Sequence, residues 1–267
     1  MKNKLRTASL CIHAGYKPKN GEPIELPIIQ STTFKYDDSD EMAQLFDLKK
    51  EGYFYTRLQN PTNDAVAAKI AALEGGVGCV LTSSGQAANF YALFNICEAG
   101  GHIVTSNEIY GGTFNLFGVT LKKLGIECTF VSPEASEEEI QQAFRPNTKV
   151  LFGETISNPG CAVLDIEKFA RIAHRNGVPL VIDNTFATPV NCRPFEWGAD
   201  IVTHSTTKSW MAWPRKWEVP WWTAATSTGW PMQRSSQDSP LPTTRITDSP
   251  MSRLSARWVT PPNSWLS

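Results

Sequence analysis

Along the first 208 positions, apolar residues recur in two rhythms that alternate. Between Asn60-Pro61 and Gly75-Gly76, Val66, Ile70 and Leu73 fall at helical spacing, with asparagine placed to cap the helix, proline in its first turn and glycine at its end. Before it, behind a polar N-terminal arm, Asp38 and Glu41 stand at capping-box spacing ahead of Met42, Leu45, Phe46 and Leu48, which predicts a helix broken at Gly52. Beyond it, strand-like runs alternate with helix-like ones: Cys79 to Thr82 then Gln86 to Cys97, Ile103 to Thr105 then Thr113 to Leu124, and Cys128 to Val131 then Glu137 to Phe144. The series continues with a strand from Val150 to Thr155, a helix from Ile166 to Arg175 closed by Asn176-Gly177, and strands Leu180 to Ile182 and Ile201 to Thr203. Such alternation predicts an α/β fold, and strands so apolar are expected to be buried on both faces.

Neither rhythm continues past Lys208. Residues 209–267 hold eight of the nine Trp, eight Pro, ten Ser and seven Thr, but only six Leu, Ile and Val in 59 positions. The charge changes with the composition, from 19 basic and 23 acidic side chains before Ser209 to six basic and three acidic from there on. Too few apolar side chains remain to offset the entropy of ordering the backbone, so no regular structure is predicted for this stretch.

Over the whole chain, 25 basic and 26 acidic residues nearly cancel, and no apolar run reaches the length of a bilayer. A broad positive field for nucleic acid or an anionic membrane is therefore excluded, which leaves small-molecule chemistry as the expected function class. The six cysteines Cys11, Cys79, Cys97, Cys128, Cys161 and Cys192 never fall in C-x-x-C spacing, and Met1 to Cys11 lacks the apolar core of a signal peptide. These features predict free thiols and a cytoplasmic location. His13, His102, His174 and Cys97 lie in no motif and are read as surface or core residues, with no metal site expected.

Open α/β sheets bind ligands beyond the carboxyl ends of their strands, so the residues that follow each strand carry the chemical interest. Ser83-Ser84-Gly85-Gln86 opens a helix after a strand, either as an ordinary turn or as a cup whose backbone N–H groups meet an anion. Asp183 ends the most apolar strand, where it either caps a turn or meets a cation or strong donor. Ser205, Thr207 and Lys208 place two hydroxyls and an amine at another strand end, although a lysine alone is equally compatible with an exposed structural role. Gly76-Val77-Gly78 precedes a strand and lacks the third glycine of a dinucleotide fingerprint, and there is no G-x-S-x-G of a serine hydrolase. A phosphate cup, a carboxylate for a ring nitrogen and an amine able to form a Schiff base are together what pyridoxal 5'-phosphate requires.

Those residues stand within a longer ordered series: Tyr55-Thr56-Arg57, Asn60-Pro61-Thr62-Asn63-Asp64, Ala72-Leu73-Glu74-Gly75-Gly76, Ser84-Gly85-Gln86-Ala87-Ala88, Tyr110-Gly111-Gly112-Thr113, Glu154-Thr155-Ile156-Ser157-Asn158-Pro159, Asp183-Asn184-Thr185 and His204-Ser205-Thr206-Thr207-Lys208. On this series the chain resembles the Cys/Met-metabolism family of pyridoxal-phosphate enzymes over about residues 5–208, and within it the sulfhydrylases that act on O-acetylhomoserine. The resemblance implies the large domain of fold type I, aspartate-aminotransferase-like, with a mixed, mostly parallel sheet and without the C-terminal small domain. It implies that Lys208 carries the cofactor as a Schiff base, that Asp183 pairs with the protonated ring nitrogen, and that Gly85, Gln86, Ser205 and Thr207 hold the phosphate. By the same resemblance Tyr110 stacks on the ring and forms the catalytic pair with Lys208, and Asn158 lies near the phenolic oxygen. Tyr55 and Arg57 serve the phosphate of a neighbouring subunit, in a homo-oligomer that is typically tetrameric in the family.

The implied reaction is γ-replacement, in which O-acetyl-L-homoserine and sulfide, or methanethiol, give homocysteine, or methionine, and acetate. A cystathionine or methionine γ-lyase of the same family is the alternative within this chemistry, and a non-catalytic cofactor-binding fragment is the alternative outside it. Gly112, where methionine γ-lyases tend to carry cysteine, and Asn63-Asp64 both lean toward the sulfhydrylases. The expected organisation is an arm over 1–60, a cofactor-binding region over 61–208 and an aberrant tail over 209–267. Neither the glycine-rich stretch that the family carries after its lysine nor its substrate-carboxylate arginine is recognisable there. Tryptophan has the single codon TGG, which out-of-frame glycine codons generate, and a permitted codon choice across Trp222 to Gln237 yields VDSGNFDWMANAEKFP in another frame, which resembles sulfhydrylase sequence. A frameshifted tail is therefore expected.

Overall fold

The structure is a computed structural model that describes residues 5–208 and the backbone of a strand at 224–228. In chain order the elements are α1 (Thr7–His13), α2 (Ser39–Phe46), α3 (Pro61–Glu74), β1 (Cys79–Thr82), α4 (Gly85–Phe94), β2 (His102–Ser106) and α5 (Gly111–Asn115). A wide π turn (Leu116–Thr120) leads into α6 (Leu121–Lys123), followed by β3 (Glu127–Val131), α7 (Glu137–Gln142), β4 (Thr148–Glu154), α8 (Ile166–Arg175) and β5 (Leu180–Asp183). The last elements are α9 (Thr188–Asn191), a 3-10 turn (Pro194–Trp197), β6 (Ile201–Ser205) and β7 (Ala224–Thr228).

The strands form one seven-stranded sheet in the order β1-β7-β6-β5-β4-β2-β3. From β6 to β3 every pairing is parallel, whereas β7 runs antiparallel to both of its neighbours. The mixed, mostly parallel α/β sheet expected from the sequence is thus present. Its strands alternate between two cores: Ile103, Val150, Phe152, Val181 and Ile201 face the side covered by α4 and by α5 to α6. Val104, Leu151, Leu180, Ile182 and Val202 face the side covered by α8. Burial on both faces explains why these strands read as continuous apolar runs rather than as alternating ones. Phe117 meets Phe152 edge-on at 4.9 Å between ring centroids. Each such fully buried ring contributes about 1.5–3 kcal/mol by leaving water.

Helix α3 has the caps its sequence promised: the Asn60 side chain accepts from Thr62 N, and Gly75 closes the helix at φ 79°. Helix α8 is likewise capped by Asp165, which accepts from Lys168 N. The expected helix before Gly52 is shorter than predicted. Asp38 accepts from Asp40 N instead of completing a box with Glu41, whose carboxylate pairs with Lys50. The chain leaves the helix after Phe46, with Leu48 in the left-handed region at φ 57°. Gly52 instead serves packing, because a Cβ there would lie 2.8 Å from Leu45 Cδ2.

Two further departures concern segments read as irregular. The N-terminal arm contains α1, anchored by an Arg193 Nη2 hydrogen bond to Thr7 Oγ1 at 2.7 Å. Just beyond it Gly15, at φ 87°, passes so close to α3 that a Cβ would lie 2.1 Å from Ala65 O. Past Lys208, where no regular structure was expected, Ala224–Thr228 forms an interior strand. The remaining expectations about the tail fall on 209–223 and 229–267, outside the described residues. His102 is a core residue held between Thr148 Oγ1 and Thr129 Oγ1, and Cys97 is buried. Among the described residues no cluster of metal-ligating side chains occurs and no helix is long and apolar enough to cross a membrane.

Candidate active site

Because β4, β5 and β6 run parallel in adjacent positions, their carboxyl ends emerge along one edge, with Glu154 paired in register with Asp183 and Asp183 with Thr203. The same edge receives the first turn of α4 and the turn after β6, and together they border a cleft of about 580 Å³. Gly85, Gln86, Tyr110, Asn158, Asp183, Ser205, Thr207 and Lys208, chosen from the sequence, all line it.

Helix α4 begins where β1 ends, with Ser84 at the cap: its Oγ accepts from Ala87 N at 3.0 Å. The amides of Gly85 and Gln86 belong to the first turn, where no intrahelical acceptor exists and the helix dipole is positive. This turn is pressed against β6, since a Cβ on Gly85 would lie 2.6 Å from Ser205 Cβ. Glycine is what lets the backbone N–H groups reach the strand end. Gly85→Ala is accordingly expected to cost about 1–3 kcal/mol through overpacking, read as a lowered urea midpoint. An unchanged midpoint would show that the turn has room to move.

Opposite this turn, Asp183 is held on both oxygens. Its Oδ1 accepts from Thr185 N at 3.0 Å and Thr185 Oγ1 at 2.5 Å, and its Oδ2 accepts from Asn89 Nδ2 at 3.0 Å. Asn89 is oriented in turn by Thr203 Oγ1, which donates to its Oδ1 at 2.5 Å. Thr185 Oγ1 also accepts from Ser205 N at 2.8 Å, so the hydroxyl ties the ends of β5 and β6 together. Ser205 Oγ and Thr207 Oγ1 lie 2.9 Å apart, and the exposed Lys208 Nζ stands 3.5 Å from Thr207 Oγ1. A fixed carboxylate, a first-turn anion cup, paired hydroxyls and an amine therefore share one cleft.

Behind the cleft, a buried network holds the strand ends in place. Glu74 Oε1, at the end of α3, meets His204 Nε2 at 2.5 Å and accepts from Asn184 Nδ2 at 2.9 Å. Asn184 Oδ1 accepts from Thr155 Oγ1 at 2.7 Å, which links β4 to β5.

The sequence reading gave no role to Asn89, nor to Thr185 and Glu154, although both of these stand in its motif series. Glu154 is 5% exposed and follows the buried run Val150 to Gly153 at the end of its strand, the same signal that singled out Asp183. Its Oε1 accepts from Tyr110 N at 2.8 Å, and Asn158 N also donates to the carboxyl. Burial, reinforced by the negative charge of Asp183, pushes its pKa up to about 8 despite these two donors. Tyr55 and Arg57, by contrast, do not line the cleft. The Arg57 guanidinium lies 4.6 Å over the Tyr55 ring, on the segment before α3.

Residues 8–212 match the family described as Cys/Met metabolism PLP-dependent enzymes. The O-acetyl-L-homoserine sulfhydrylase of Corynebacterium glutamicum is 50% identical over 198 residues, which cover 74% of this chain and 45% of that protein. The O-acetyl-L-homoserine sulfhydrylase of Leptospira meyeri is 42% identical over 209 residues, covering 78% of this chain and 47% of that one. A solved structure described as an O-acetylhomoserine (thiol)-lyase of Campylobacter jejuni, with N'-pyridoxyl-lysine-5'-monophosphate, matches with a TM-score of 0.76 at 34% identity. It covers 84% of this chain and 54% of that one. The chain belongs to the Cys/Met metabolism PLP-dependent enzyme family, and it spans about half the length of the relatives it matches.

Proposed function

We propose that the cleft binds pyridoxal 5'-phosphate and serves γ-replacement, in which O-acetyl-L-homoserine and sulfide, or a small thiol such as methanethiol, give homocysteine, or methionine, and acetate. The observation that carries this reading is the convergence of Lys208, Asp183 and the first turn of α4 on one cleft. Bound there, pyridoxal phosphate supplies an electron sink that lets protons leave the α- and β-carbons of an amino acid. Lys208 would anchor the group, and its free amine would carry a proton between those carbons. Asp183, fixed by Asn89 and Thr185, keeps a proton on the ring nitrogen. The amides of Gly85 and Gln86, with the hydroxyls of Ser205 and Thr207, bind the phosphate. Tyr110 and Asn158, which line the same cleft, would cover the ring face and meet its phenolic oxygen.

Gly112 favours replacement over the methionine γ-lyase reading, because a Cβ at that position would lie 2.5 Å from Tyr110 Cε1. Tyr55 and Arg57, placed outside this chain's own cleft, fit a role at the phosphate of a second subunit in a cytoplasmic homo-oligomer. Residues 1–60 are then the arm that reaches the neighbour, residues 61–208 the cofactor-binding region and residues 209–267 an out-of-frame tail, the last supported by the abrupt change in composition at Ser209.

Product analysis tests the reaction. Incubation with O-acetyl-L-homoserine and sulfide is expected to yield homocysteine and acetate. Ammonia and a 2-oxo acid formed equally with and without sulfide would instead identify a lyase. Cofactor uptake without any product would favour a binding fragment, and the frame restored after Lys208 should then recover homocysteine formation.

A further inference from the structure

Two segments that flank the cleft, the turn before α5 and the loop after β4, carry Tyr110 and Asn158. They are 48 positions apart in sequence and share one buried acceptor. We propose that Glu154 is a positioning residue, its carboxyl clamping the backbone of both segments so that Tyr110 and Asn158 hold their places around a bound pyridoxal ring. This inference rests on the cofactor reading above and adds to it a residue that touches neither cofactor nor substrate.

The geometry is specific. Glu154 is the last residue of β4, 5% exposed, with Oε1 at 2.8 Å from Tyr110 N and a second backbone donor at Asn158. Tyr110 itself is 51% exposed, and its side chain makes no hydrogen bond among the described residues. An exposed ring on a short turn keeps one orientation only if its backbone is held, and the Glu154 carboxyl supplies that hold. Gln86 Nε2 donates to Gly112 O at 3.0 Å and pins the other end of the same turn to α4. The ring is thus carried by a turn tied at both ends.

A clamp at this place also has to avoid disturbing the charges around it. The titratable groups that face it are Asp183 on β5, Tyr110 ahead of α5 and Lys208 beyond β6, while α4 presents the neutral Gln86 and Asn89. Burial and the charge of Asp183 both raise the Glu154 pKa and so favour its neutral form. A neutral carboxyl at this place would neither compete with Asp183 for a cation nor repel an anionic phosphate.

The test adds pyridoxal 5'-phosphate to the 267-residue chain and to its Glu154→Ala and Glu154→Gln variants. Affinity is measured by titration, and ring orientation by the circular dichroism induced in the cofactor's own absorption band at saturation. Far-UV circular dichroism reports the fold. Glu154→Ala loses both acceptor contacts and is expected to bind roughly tenfold or more weakly, with a diminished induced signal at full occupancy. Glu154→Gln keeps an oxygen for one donor and should recover part of both. Should Glu154→Ala match the unaltered chain in affinity and induced signal, the clamp is overturned while the cofactor reading stands. A Glu154→Gln chain that has lost its secondary structure would also overturn it, by showing that the carboxyl serves the fold and not the cleft. If the unaltered chain itself takes up no cofactor, the functional reading falls and the clamp falls with it.

Discussion

Lys208→Ala is expected to abolish borohydride-stable attachment of pyridoxal phosphate. In the unaltered chain, reduction of the carbon–nitrogen double bond should leave a pyridoxyl group on the peptide that contains Lys208, and the variant should carry none at any lysine. The expectation rests on position. Among the described residues, Lys208 is the lysine that lines the cleft, just beyond the parallel strand β6 and 3.5 Å from Thr207 Oγ1. The other described lysines stand elsewhere: Lys168 Nζ, for example, is tied to Pro133 O and Ala135 O at the far side of α8. Turnover should fall by a factor of roughly 10²–10⁴ or more, the range lost with a positioned proton carrier. A label on another lysine, or equal retention of cofactor after reduction, would remove the central assignment.

Much of this site was legible because the elements that build it have strong local signals. Asn60-Pro61 and Gly75 bracket α3, and Asp165 with Asn176-Gly177 brackets α8, so their bounds follow from caps and periodicity. The buried strands announce themselves as apolar runs, and a polar residue at the end of such a run is conspicuous. That reasoning found Asp183 and should have found Glu154 as well. The expected strand was carried one residue past Glu154 to Thr155, which hid the carboxylate inside the element instead of at its end.

Other features depend on tertiary contact and leave little trace in sequence. Gly52 resembles a helix stop, but its constraint is the Leu45 side chain that would meet a Cβ. Helices α1 and α9 are seven and four residues long and have no side-chain cap, so neither period nor cap could reveal them. Asn89 and Thr185 matter through bonds to Asp183 from different elements, a relation no single segment records. Tyr55 and Arg57 show the converse: their motif is plain, yet this chain's fold does not bring them to its own cleft.

Thr226→Pro is expected to be among the most destabilising single substitutions in the chain, although it lies in the stretch whose composition predicted no structure. Strand β7 is interior, with Thr226 paired to Val80 of β1 on one edge and to Thr203 of β6 on the other. Its sequence, Ala-Ala-Thr-Ser-Thr, has no large apolar residue to drive it into the sheet. What holds it is the backbone ladder on both edges, which no pattern of side chains discloses. Proline removes a ladder donor and sets a ring against a neighbouring strand, a combination that interior strands do not accept. A loss of about 3 kcal/mol or more is expected, read from the urea midpoint at constant slope. The effect should reach the cleft as well. Thr203, paired with Thr226, orients Asn89, and Asn89 orients Asp183, so a disturbed β7 loosens the carboxylate two steps away. A variant with unchanged stability would mean that residues 224–228 do not complete the sheet, in which case β1 would lose the one strand partner it has among the described residues and the first turn of α4, which follows closely on β1, would need another support.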